Sequence, residues 1–61
     1  MTPEYYLNLA IIELGHYDKH TRTIARIVEL WKQGLMERDE AVLACSTVYY
    51  RGAEGRYYPA E

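Results

Sequence analysis

A single cysteine, Cys45, among 61 residues excludes an internal disulfide, and with it the stapled frameworks of small secreted domains. A structural zinc site draws about four ligands from Cys and His, and Cys45, His16 and His20 are too few. No apolar run reaches the roughly 20 residues of a membrane span. The opening MTPEYYL carries no basic flank of the secretory kind, so a cytoplasmic chain with no membrane partner is expected. Basic excess is also missing. Seven Lys and Arg against nine Asp and Glu give a net charge of −2, whereas proteins that live on phosphate backbones are usually clearly basic. Phenylalanine is absent altogether. Aromatic surface therefore comes almost entirely with a hydroxyl attached, which suits half-buried positions and contact surfaces.

Hydrophobic residues make up 49% of the chain, with seven tyrosines and one tryptophan, too rich a content for a disordered segment. A chain this short forms one domain and buries only about 60% of the surface its unfolded form exposes, so its own core supports it marginally. Disulfides and metals are the usual reinforcements. With neither available, self-association or docking on a larger protein is the expected support.

The stretch Asp18–Gly34 organises the rest. His20, Ile24, Ile27, Val28, Trp31 and Leu35 recur at steps of three and four, the spacing of one face of a helix. Arg22, Arg26, Glu29 and Gln33 line the opposite face, with Glu29 expected to pair with Arg26 and Lys32. Asp18 is placed to cap this helix, Gly34 to close it, and Leu35 to fold back on its last turn. Before it, Thr2-Pro3-Glu4 reads as a capped helix start, and Gly15 as a left-handed stop. Between them, Tyr5, Tyr6, Leu7, Leu9, Ala10, Ile11, Ile12 and Leu14 cover most of a helix circumference, more than one neighbour can bury. After Gly34, the acids Glu37, Asp39 and Glu40 suit the positive end of a third helix, with Ala41, Val42, Cys45, Val48 and Tyr49 on its apolar face and Gly52 as its stop.

The expected architecture is all-α: a compact three-helix domain with helices over about 3–14, 19–33 and 37–51 and an irregular tail over 52–61. A short β-hairpin across the turn-like Gly52–Gly55, pairing Tyr49-Tyr50 with Tyr57-Tyr58, is the alternative for the C-terminal part. The run Ile27–Leu43, IVELWKQGLMERDEAVL, resembles a helix connection of bacterial helical hairpins. That resemblance implies geometry and carries no function.

Three constellations could carry function. His16 and His20 are four apart, but a helix boundary falls between them, and no third ligand stands at a recognisable spacing. Cys45 on an apolar helix face reads as a small hydrophobe. No catalytic residue, cofactor or metal is expected, and the chain is not read as an enzyme. The pairs Tyr5-Tyr6, Tyr49-Tyr50 and Tyr57-Tyr58 are the strongest signal. Neighbouring rings on a helix point about 100° apart, so one of each pair belongs at a rim or an interface. Tyr5, Tyr6, Leu9, Ile12, Tyr49, Tyr50, Tyr57 and Tyr58 are the expected protein-interface residues. Function is read as that of a non-catalytic protein-interaction module. It would be a small homodimeric regulator or inhibitor that occupies a surface of a larger protein, a style that also suits phage and mobile-element products. The alternative is a nucleic-acid-binding regulator using Lys19, Arg22, Arg26 and Lys32.

Overall fold

The computed structural model describes residues 1–57, with side chains through Gly55. Three helices follow one another: α1 (Pro3–Glu13), α2 (Lys19–Lys32) and α3 (Arg38–Tyr57). No strand occurs among the described residues. Residues 45–57 are helical, so the hairpin alternative does not form through them, and Tyr58 and the rest of the expected tail lie outside the described residues.

Local chemistry sets most of the helix ends. Pro3 occupies the first turn of α1, where its missing N–H costs nothing. Thr2 precedes it in an extended conformation, but its side chain makes no capping bond, contrary to the expectation above. Gly15, at φ 96°, turns its N–H back to the carbonyls of Ala10 and Ile11 at 3.0 and 3.1 Å. The Asp18 carboxylate accepts from the His20 N–H at 2.8 Å and caps α2. At the other end of α2, Gly34 sits at φ 78°. Its N–H donates to the Trp31 carbonyl and the Leu35 N–H donates to the Leu30 carbonyl, each at 3.0 Å, which is the Schellman pattern. The Leu35 side chain does not complete the expected fold-back and stays exposed.

The core is built from small side chains. Ala10, Ala41 and Cys45 are fully inaccessible, and Ile24 is the largest apolar side chain wholly inside. Small residues let helices approach closely, yet they bring little apolar area with them, so the stabilisation per residue is modest. Val28 and Tyr6 complete the buried set, and Leu7, Leu14, Ile27, Trp31, Val42 and Val48 pack around it. Thr21 is buried on the face of α2 next to α1, where its hydroxyl donates to the Ala10 carbonyl at 3.3 Å. Burying that hydroxyl without a partner would be costly.

Contacts fix the directions. Thr21 meets Ala10 and Lys32 pairs with Glu4 at 3.0 Å, so α1 and α2 are antiparallel. Cys45 lies against the Ile24 backbone and Gly52 against His20, so α2 and α3 are antiparallel too. Helices α1 and α3 therefore run the same way.

Gly52 corrects the sequence reading most clearly. It was expected to end the third helix, yet it is buried within α3. A β-carbon there would lie 2.7 Å from Leu14 Cδ1 and 3.0 Å from both Cβ and Cγ of His20. The glycine is the point where α3 passes over the α1–α2 connection, and any side chain would hold the elements apart.

Candidate interaction surface

The sequence-predicted tyrosines come together across α1 and α3. Tyr5 and Tyr6 stand edge-to-face at 5.2 Å, Tyr6 and Tyr49 are 6.1 Å apart, and Tyr49 and Tyr50 meet edge-to-face at 5.3 Å. The four rings form one row, with the inner two between the helices and the outer two facing solvent. Each adjacent pair thus splits as helical geometry requires. Tyr6 belongs to the core rather than to a contact surface, and Tyr49 is half-buried beside it. Burial pushes the Tyr49 phenol above its ordinary value, and the nearby charges of Glu13, Tyr50 and Tyr5 push it the same way.

Helical phase decides which way the outer residues point. Helix α3 meets α2 at Cys45 and Gly52 and meets α1 at Tyr49. Tyr50 lies 100° further round from Tyr49, on the side away from α2, and Leu43 is two turns before it on the same stripe. Helix α1 meets α2 at Ala10 and α3 at Tyr6. Tyr5 and Ile12, seven apart, fall on its stripe away from α2, with half-buried Leu9 between them. Accessibility agrees: Ile12 is 76% exposed, Leu43 68%, Tyr50 57% and Tyr5 49%. Leu43 was missed in the sequence reading. Its seven-residue spacing to Tyr50 is the signal that could have found it. The side chain of Tyr57 and all of Tyr58 lie outside the described residues.

Acidic residues border this front face: Glu13 follows Ile12 and acts on Tyr49, and Asp39 and Glu54 stand about one turn before Leu43 and one turn after Tyr50. Asn8 and Ser46 are its uncharged polar members alongside the tyrosine hydroxyls, and the Ser46 hydroxyl donates to the Leu43 carbonyl at 2.9 Å.

The basic residues group differently from expectation. Lys19, Arg22 and Arg26 line an open concavity with Thr23 on the outer side of α2, and none of the three forms an ion pair among the described residues. Lys32 is not part of that group, because it pairs with Glu4. The expected ladder around Glu29 does not form; Glu29 accepts from the Gln33 amide at 3.1 Å instead.

A second hollow lies between the start of α2 and the later part of α3, lined by Leu14, Asp18, Lys19, His20, Gly52 and Gly55. In it, His20 Nδ1 and the Asp18 carboxylate are 3.1 Å apart, while His16 is exposed in the preceding turn. No group of three or more His, Cys, Asp or Glu able to hold a metal occurs among the described residues. Cys45 is a free thiol, and burial pushes it up to about 11. A thiol so rarely ionised is a poor nucleophile. No described helix is long and apolar enough to cross a membrane.

Compared with known proteins, the chain matches no family model, no curated protein and no solved structure.

Proposed function

We propose that the protein is a non-catalytic protein-interaction module whose contact surface is the front face of α1 and α3. The observation that carries this reading is the exposure of Tyr5, Ile12, Leu43 and Tyr50 on one side of the molecule. Clustered apolar and tyrosine surface of this kind marks binding sites more often than scattered exposed residues do. A regulator or inhibitor that acts by covering part of another protein needs nothing more than such a surface.

A second reading is favoured by the three cations of α2. Lys19, Arg22 and Arg26 sit together without counter-ions among the described residues, a disposition suited to phosphates. One experiment separates the two. A photoreactive residue is placed at Tyr50 on the front face, or at exposed Ala25 on α2, in cells that carry the protein. The proposed function requires a discrete protein adduct from position 50 and none from position 25. Adducts to nucleic acid from position 25, with none from position 50, would replace it by the second reading, and adducts from neither position would sink both.

A further inference from the structure

We infer that the occupant of the front face is a cationic amphipathic helix of another protein, with an apolar stripe that covers Ile12, Leu43 and Tyr50 and with Lys or Arg towards both of its ends. The inference rests on the proposed interaction surface and names the chemistry of its partner.

The packing of α1 and α3 points to a helix. The two run the same way, and α2 lies antiparallel on one side of the pair. The front face is the other side of that pair, so a helix laid there would complete a four-helix bundle. Its exposed positions already have the helical repeat. Tyr5 and Ile12 on α1, and Leu43 and Tyr50 on α3, are each two turns apart, the spacing that receives the apolar stripe of a partner helix.

Charge selects the kind of helix. Asp39 and Glu54 are exposed and fall within about 30° of the stripe of Leu43 and Tyr50. They stand about 22 Å apart along α3, roughly four turns. Glu13 lies at the Glu54 end, because Leu14 packs at Gly52, and it acts on Tyr49. Arg38 is 3.5 Å from Asp39, with the two side chains 61% and 93% exposed, a solvent pair too weak to cancel the acid. Arg51 is turned a further 100° beyond Tyr50, away from α1. An apolar stripe with acid at both ends is complementary to apolar anchors flanked by cations. The same acids disfavour other occupants. A second copy on a two-fold axis would set this rim against itself, and phosphate backbones and anionic lipid surfaces carry the same sign.

Two synthetic helical peptides of about 15 residues, long enough to span the acids, test the inference by fluorescence anisotropy with the purified full chain. Both carry leucines at helical spacing on one face; one has lysines in its first and last turns, the other glutamates at the same places. The lysine peptide should bind about tenfold more tightly in about 0.05 M NaCl, and the gap should narrow at about 1 M. Tyr50→Ser should weaken it about tenfold, Glu54→Lys should shrink the preference about threefold, and Arg22→Ala on the opposite side should change neither. All three positions are exposed, and helical circular dichroism checks that each variant keeps its fold. Equal binding of the two peptides, binding of neither at about 1 mM, or undiminished binding to Tyr50→Ser overturns the inference. So does a doubled mass of the chain alone that Tyr50→Ser abolishes, since the face would then belong to a second copy. Cross-linking from residue 50 in cells separates this inference from the reading beneath it. A protein adduct whose linked segment has no Lys or Arg beside its apolar residues sinks the cationic helix and leaves the interaction module standing. Absence of any adduct removes the module itself.

Discussion

Replacing Gly52 by alanine should destabilise the protein, whereas the same replacement at Gly55 should stabilise it. In an unhindered helix interior alanine is better than glycine by about 0.8–1 kcal/mol. At Gly55 no heavy atom lies within 4 Å of the added carbon, and a gain of about 0.5–1 kcal/mol is expected. At Gly52 the carbon would stand 2.7 Å from Leu14 Cδ1, which can swing away, but also 3.0 Å from His20 Cβ, which is tied to the first turn of α2. Separating α2 from α3 brings an overpacking cost of about 1–3 kcal/mol, larger than the helical gain. Urea midpoints read by helical circular dichroism should therefore move in opposite directions. A stabilising Gly52→Ala would mean that the two helices do not touch there.

Among the elements, α2 depends on its cap. Burial alone would raise the Asp18 carboxyl, but the His20 N–H, the His20 ring and its charge, and the Thr21 N–H together hold it below the ordinary aspartate value. The folded state therefore binds this proton less readily than the unfolded state does. Its stabilising contribution is complete above the unfolded value near 3.9 and is lost as pH falls through the lowered folded value. Asp18→Asn should keep a capping oxygen and flatten the acid limb of the stability curve. Asp18→Ala should cost about 0.5–2 kcal/mol at pH 7. Denaturation at pH 7 and at pH 3 measures both, and an Asn variant that loses as much stability on acidification as the wild type would rule out this carboxylate as the source.

The same element shows what a sequence can disclose. Asp18, Gly15 and Gly34 were legible because a cap or a left-handed stop involves only residues a few positions apart. Gly52 was not, because a glycine that ends a helix and one that admits a neighbouring helix are the same letter, and only a contact with Leu14 and His20, more than thirty residues distant, separates them. Thr21 escaped for a similar reason: its value lies in the carbonyl of Ala10 on another helix. On the candidate surface, the tyrosine pairs announced that some rings must face outward. Which ones did so, and that Leu43 joins them, depended on where α2 packs.

At the scale of the whole molecule, Cys45 reports on integrity. It is fully inaccessible where α2 and α3 meet, and burial pushes its thiol up to about 11. Labelling by a thiol reagent at pH 8 should be slow in the folded protein and should accelerate with urea in parallel with the population of opened molecules. Rapid stoichiometric labelling in native buffer would contradict the packing at the core. Finally, both interhelical connections are five residues long and turn at their second residue through left-handed glycines, Gly15 and Gly34, which brings the first contacts between helices together over short stretches of chain. Helical bundles wired this locally fold in microseconds to milliseconds. A partner at micromolar concentration is met only about 0.1–10 times per second at ordinary association rates. Each molecule would complete its own fold long before it meets a partner, so abundance, and not folding, would set the pace of any association.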